Sequence, residues 1–258
     1  MQGKSVFPAA LLLALVTIIS VPPCLAGEDL ITTAHNKNSE EQIPYILNYT
    51  SLTPRYIIIL FPGGLGNMNP RMVNGKLLYG FKNNFVIRTR GLIVDDEFAT
   101  VATNASQSEE RIQAILDDLK NRFPAAQVYL MSTSKGTFDS MALAGYLSDK
   151  IAGVVHTSSL DRVASFDARK YKNRQLLVHH GHDQCHVTPF RAAQASHERY
   201  GTELIVMEGG ITDGDLCEPF AHHGYNGIEA ETIAAIKHWI KKAPAAVGPS
   251  SAVPAARP

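Results

Sequence analysis

The chain has 258 residues, 45% of them hydrophobic and 19% charged, with 24 basic side chains set against 24 acidic ones. That length and balance suit one globular domain with a large core. No excess of either sign argues for a nucleic-acid partner or for attachment to an anionic surface.

Residues 1–26 read as a signal peptide. Lys4 supplies the positive end, Phe7 to Val21 the apolar stretch, and Cys24-Leu25-Ala26 a small-x-small cleavage site before Gly27. The alternatives are an uncleaved anchor, for which the apolar run is short and is followed by Pro22-Pro23, and a lipoprotein signal at Cys24, which the prolines just before it fit poorly. The expectation is a secreted or periplasmic protein with no stable membrane insertion after cleavage. Cleavage leaves Cys185 and Cys217 as the cysteines of the mature chain, and two cysteines in an exported protein suggest a disulfide, with two buried free thiols as the alternative.

Residues 27–55 are polar and irregular, with edge strands expected near Ile43–Leu47. Tyr56 to Phe61 is a continuous apolar run rich in β-branched residues, the pattern of a strand buried on both faces. Pro62-Gly63-Gly64-Leu65-Gly66 follows, a Gly-rich loop whose backbone N–H groups can point into a site, or a simple turn. It lacks the Gly-Lys-Ser/Thr ending of a phosphate loop. Phe85–Arg88 and Leu92–Val94 read as strand-like. Ser106-Gln107-Ser108-Glu109 matches a capping box, after which Ile112, Ile115, Leu116 and Leu119 share one helical face up to Phe123-Pro124. Strands are expected again at Val128–Met131, Ile151–Val155, Gln175–Val178 and Leu204–Met207. Helices are expected from near Phe138, from Pro189 to Tyr200, and from Ile228 to Trp239. Residues 243–258 are Ala, Pro, Ser and Val without period, an expected disordered tail. This alternation implies a doubly wound, mostly parallel α/β sheet over residues 27–242 with helices on both faces, and ligands bound beyond the carboxyl ends of its strands.

The centre of the pattern is Val128 to Thr137, a buried strand running into Ser132-Thr133-Ser134-Lys135-Gly136 and then a helix. That context suits a nucleophile elbow, a sharp turn that holds Ser134 above the sheet edge. Small residues are needed two positions either side; Gly136 meets the need, while Ser132 stands where Gly is usual. A serine hydroxyl needs a base, and the base needs an orienting acid. Asp183 follows a strand in His179-His180-Gly181-His182-Asp183, and His223 sits in Ala221-His222-His223-Gly224-Tyr225 before the last helix, with His222 its competitor.

The order Ser134, Asp183, His223 is that of the α/β-hydrolase triad, and from about residue 55 to 242 the chain resembles the α/β-hydrolase superfamily. The resemblance rests on Phe61-Pro62-Gly63-Gly64, Ser132-Thr133-Ser134-Lys135-Gly136, His180-Gly181-His182-Asp183 and His223-Gly224-Tyr225. It implies that Ser134 attacks a carbonyl, His223 shuttles the proton, and Asp183 supports His223. It also implies an oxyanion hole from the N–H of Lys135 and an N–H of Gly64 or Leu65, and no cofactor. Pro62 stands where many members carry His. A Cys185–Cys217 bond would then tie the acid loop to the base loop. Only Thr157 to Asn173 separates two successive strands, too short for a folded lid, so an open site for a small-molecule or extended ester substrate is expected. The rival readings are a metal-dependent hydrolase built on His179, His180, His182, Asp183, Cys185 and His186, and a non-catalytic binding protein on the same fold.

Overall fold

An eight-stranded sheet forms the centre of residues 27–242, the part of the chain that this computed structural model describes. The expected signal peptide with Cys24, and the expected tail, lie outside the described residues. In chain order, β1 (Leu30–His35) and β2 (Gln42–Asn48) form an antiparallel pair, and β3 (Tyr56–Phe61) runs into a loop carrying the small hairpin β4 (Arg71–Val73) and β5 (Lys76–Leu78). Two one-turn helices, α1 (Phe85–Arg88) and α2 (Arg90–Ile93), precede β6 (Phe98–Ala102), α3 (Glu109–Arg122) and β7 (Gln127–Thr133). Then come α4 (Gly136–Ala142), α5 (Ala144–Leu147), β8 (Gly153–Thr157), β9 (Arg174–His180), α6 (Phe190–Tyr200), β10 (Glu203–Met207) and α7 (Glu229–Lys241).

The strand order is β1-β2-β6-β3-β7-β8-β9-β10, with β2 antiparallel to both neighbours and the pairs from β6 to β10 parallel. All six residues of β3 are buried, and strand geometry sends alternate side chains to opposite faces. Ile58 and Leu60 join one core with Phe85, Val86, Ile233, Ile236 and Trp239; Ile57, Ile59 and Phe61 join another with Ile112, Ile115 and Leu119. Helices α1 and α7 thus cover one face and α3 the other. Burying each such aliphatic side chain contributes about 1.5–3 kcal/mol, so β3 needs apolar residues throughout rather than in alternation. From β3 the chain moves to one side, to β6, and then crosses back to β7 on the other side. Their carboxyl ends therefore diverge, which opens a crevice where the two loops part.

Four expectations need correction. Phe85–Arg88 is helical, not a strand, and Leu92–Val94 closes α2. Four-residue apolar runs fit either period, and the sheet position beside β3 is taken by Phe98–Ala102, an alanine-diluted stretch that alternation did not mark. The N-cap of α3 is Ser108, not Ser106: its hydroxyl accepts the Arg111 N–H at 3.2 Å, so the spacing to Glu109 is coincidental. Residues 27–55 hold two strands, and β2 lies inside the sheet while β1 takes the edge. The other strands and helices lie where the periodicity put them, and between β8 and β9 there are only two short 3₁₀ turns, Asp161–Ser165 and Ala168–Lys170.

Candidate active site

Ser134 lies between β7 and α4 with φ 52°, in the left-handed region that a side chain with a Cβ rarely adopts. Such strain persists where the surroundings over-determine it, and it gathers at functional positions. Here the surroundings are the loop after β3. A Cβ added to Gly136 would stand 2.6 Å from the Pro62 carbonyl oxygen, and one added to Gly63 would stand 2.9 Å from Ser134 Cβ. Both glycines are demanded by this crossing. Ser132 is fully buried, and its extra hydroxyl is absorbed by a polar chain behind the elbow. Its Oγ lies 2.7 Å from Ser140 Oγ, which lies 3.0 Å from His156 Nδ1; His156 Nε2 lies 3.0 Å from Gln175 Oε1. Complete burial pulls the His156 pKa down to about 4, so the ring in this chain is neutral at pH 7.

The acid and base loops meet beside the elbow. The Asp183 side chain is fully buried; its Oδ1 accepts the Cys185 N–H at 2.9 Å, and its Oδ2 lies 3.1 Å from His223 Nδ1. Thr188 bridges the two. Its hydroxyl donates to Asp183 Oδ2 at 3.1 Å, and its oxygen lies 3.0 Å from His223 Nδ1. With two acceptors before it, Nδ1 carries the ring proton, which leaves Nε2 as the basic nitrogen. Ser134 and His223 line one cleft of about 740 Å³, with Gly64, Phe81, Asn84 and Lys135 among its other walls. His223 meets Asp183; His222 instead stacks on His180, with ring centroids 4.3 Å apart and planes at 6°.

The base loop is held from behind. Ser158 Oγ donates to the His223 carbonyl at 2.7 Å, and the buried Tyr225 hydroxyl donates to the Val178 carbonyl at 2.8 Å. Arg88 Nη2 donates to the Gly224 carbonyl at 2.7 Å and pairs with Glu229 at 2.9 Å, while its Nη1 reaches the Asn83 carbonyl at 2.8 Å. A Cβ on Gly224 would stand 2.0 Å from the Pro219 oxygen, so only glycine fits there. Thr188, Ser158 and Arg88 were not singled out from the sequence, which carries no local mark of partners 35, 65 and 136 residues away.

The remaining expected site residues fall as follows. Lys135 opens α4, where the first N–H groups have no intrahelical acceptor, and it shares the cleft with Gly64. Leu65 is 80% exposed. A disulfide joins Cys185 to Cys217 and so links the acid loop to the base loop. The histidine run does not converge on one point. His179 is buried in β9, His180 Nε2 donates to the Gly209 carbonyl at 2.8 Å, and His182 pairs with Glu208 at 3.1 Å. Among the described residues the three-donor grouping with metal-like spacing is Cys185, His186 and Cys217, and its two sulfurs are bonded to each other.

No protein-family model matches the chain, and no curated protein matches it. Solved structures do. Est1E from Butyrivibrio proteoclasticus aligns with a TM-score of 0.57 at 14% identity, over 81% of this chain and 97% of that one. XC6422 from Xanthomonas campestris, described as an α/β serine hydrolase without lid, aligns with a TM-score of 0.56 at 11% identity, over 86% of this chain and 100% of that one. Acylaminoacyl peptidase from Pyrococcus horikoshii aligns with a TM-score of 0.53 at 12% identity, over 83% of this chain and 41% of that longer one.

Proposed function

From the α/β-hydrolase fold that this chain has, we infer that it is a serine hydrolase cleaving a carboxylic ester or a related acyl bond. The observation that carries the reading is the joint placement of a strained Ser134 and an Asp183-paired His223 on the walls of one cleft. Ser134 Oγ attacks the substrate carbonyl while His223 Nε2 takes its proton. The buried Asp183 carboxylate stabilises the imidazolium that forms. The charge that develops on the carbonyl oxygen is met by the N–H of Lys135 and an N–H of Gly64 or Leu65. His223 then protonates the leaving group, and a water activated by the same nitrogen hydrolyses the acyl-enzyme. With only two short 3₁₀ turns between β8 and β9 and no folded lid there, the cleft admits small or extended substrates from solvent. The chemistry requires no cofactor. The signal-like residues 1–26 and the disulfide together support an exported protein, with 27–242 as its catalytic domain.

The test is covalent labelling with a fluorophosphonate probe, beside Ser134→Ala and His223→Ala. Label on the wild type that both substitutions abolish is expected. A folded wild type that takes no label would sink the reading. A panel of matched ester, thioester and amide substrates then fixes the bond cleaved.

A further inference from the structure

Asn84 stands at the start of α1, where an asparagine side chain ordinarily accepts a hydrogen bond from the helix backbone. It makes no such cap. Its main chain is fixed, with its N–H donating to the Phe81 carbonyl at 2.9 Å and its carbonyl accepting from Ile87 and Arg88. Its side chain is a wall of the cleft that holds Ser134 and His223. Oδ1 is turned inward, buried and without a hydrogen-bond partner among the described residues. Nδ2 faces Gly63: a Cβ built on that glycine would stand 3.5 Å from Nδ2 and 2.9 Å from Ser134 Cβ. That point is also 3.0 Å from the Thr133 carbonyl oxygen, so no side chain fits there, and the bare glycine is what lets the Asn84 amide donor stand close to the turn that carries the nucleophile. The turn that sets this up is itself strained, because Phe81 sits at φ 58° with its ring packed against Gly64. The orphaned Oδ1 is an acceptor and can be met only by a donor, whereas Nδ2 makes no hydrogen bond among the described residues and is the atom that can donate to a ligand oxygen in the cleft.

We propose that Asn84 is a further catalytic residue, whose Nδ2 donates a hydrogen bond to the substrate carbonyl oxygen as it becomes an oxyanion beside Lys135 and Gly64. The proposal rests on the serine-hydrolase reading. When the Ser134 Oγ–carbon bond forms, the carbonyl π pair moves onto oxygen. A fixed donor aimed at that oxygen acts on the transition state more than on the bound substrate.

The experiment compares the wild type with Asn84→Ala, Asn84→Asp and Asn121→Ala in hydrolysis of p-nitrophenyl butyrate and in the rate of fluorophosphonate labelling, with thermal melts on each. Removal of one oxyanion donor is expected to lower kcat by about a hundred-fold with KM changed little. Labelling should slow in parallel, because the phosphonyl oxygen occupies the same place. Asn121→Ala, at an exposed position on α3 away from the cleft, should behave as the wild type. Asn84→Asp keeps the size and lacks the N–H, so it carries the test if the alanine variant does not fold. A folded Asn84 variant that keeps kcat and labelling near wild type overturns this inference alone. A wild type that neither hydrolyses nor takes label overturns it together with the reading beneath it.

Discussion

Ser134, Asp183 and His223, the residues of the proposed reading, could be singled out in the sequence because each carries a local signature: small neighbours round a strand-to-helix turn, a carboxylate just past a buried strand, and an imidazole followed by glycine. The residues that tune them have no such signature. Thr188 is the clearest case, since its hydroxyl touches both the carboxylate and the imidazole while its sequence neighbours are unremarkable. On the serine-hydrolase reading it is a positioning residue, and Thr188→Val tests it. Loss of a hydrogen bond to a charged group costs about 1.5 kcal/mol or more, so kcat should fall roughly ten-fold with KM unchanged. Thr188→Ser should restore most of it, because the hydroxyl rather than the methyl is at issue. Steady-state kinetics on the three proteins decides, and a valine variant with wild-type kcat would refute the role. Ser132 shows the opposite kind of surprise. The departure from glycine reads as a defect in the motif, yet Ser140 and His156 give its hydroxyl a partner and continue the chain inward.

Long periodic elements were read well, and four-residue ones were not. Helix α3 and strands β3, β7, β8 and β9 announce themselves by period and burial, whereas Phe85–Arg88 is too short for its period to separate a turn of helix from a strand. The missed β6 is held in place by its two neighbours in the sheet rather than by its own composition. The loops after β9 and before α7 are elements of the site too, and the disulfide between residues 32 apart joins them. In the chain-entropy picture, closing a loop of that size contributes about 3–4 kcal/mol. The double variant Cys185→Ser, Cys217→Ser should therefore denature at a clearly lower urea concentration. It should also lose activity below its melting range, since the Cys185 N–H is a donor to Asp183. Urea titration beside a rate assay checks this, and unchanged midpoints would show that the bond has no such role.

At the scale of the whole molecule, the sheet stores its titratable groups unevenly. His156 is buried at the centre with its pKa pulled from 6.5 to about 4, and burial lowers His179 and His180 in the same direction. Between those two pH values the unfolded chain binds protons that the folded one refuses. Stability is therefore complete above about pH 6.5 and declines as pH falls toward 4, by on the order of 3 kcal/mol for His156 alone. Urea midpoints measured from pH 7.5 to 4.5 should fall with acid, and His156→Gln should flatten the slope; a level wild-type profile would contradict the argument. The amino-acid sequence by itself determined the class of fold, the chain order of Ser134, Asp183 and His223, and the shortness of the connection between β8 and β9, because burial periodicity and chain order are properties of the linear chain. Only the tertiary structure decided that His223 rather than His222 meets Asp183. The same holds for the Thr188 bridge, the turn of Asn84 toward the cleft, and the failure of the histidine run to converge. Each of these depends on which of two adjacent side chains a packed loop turns inward, and that choice is set by contacts with segments tens of residues away.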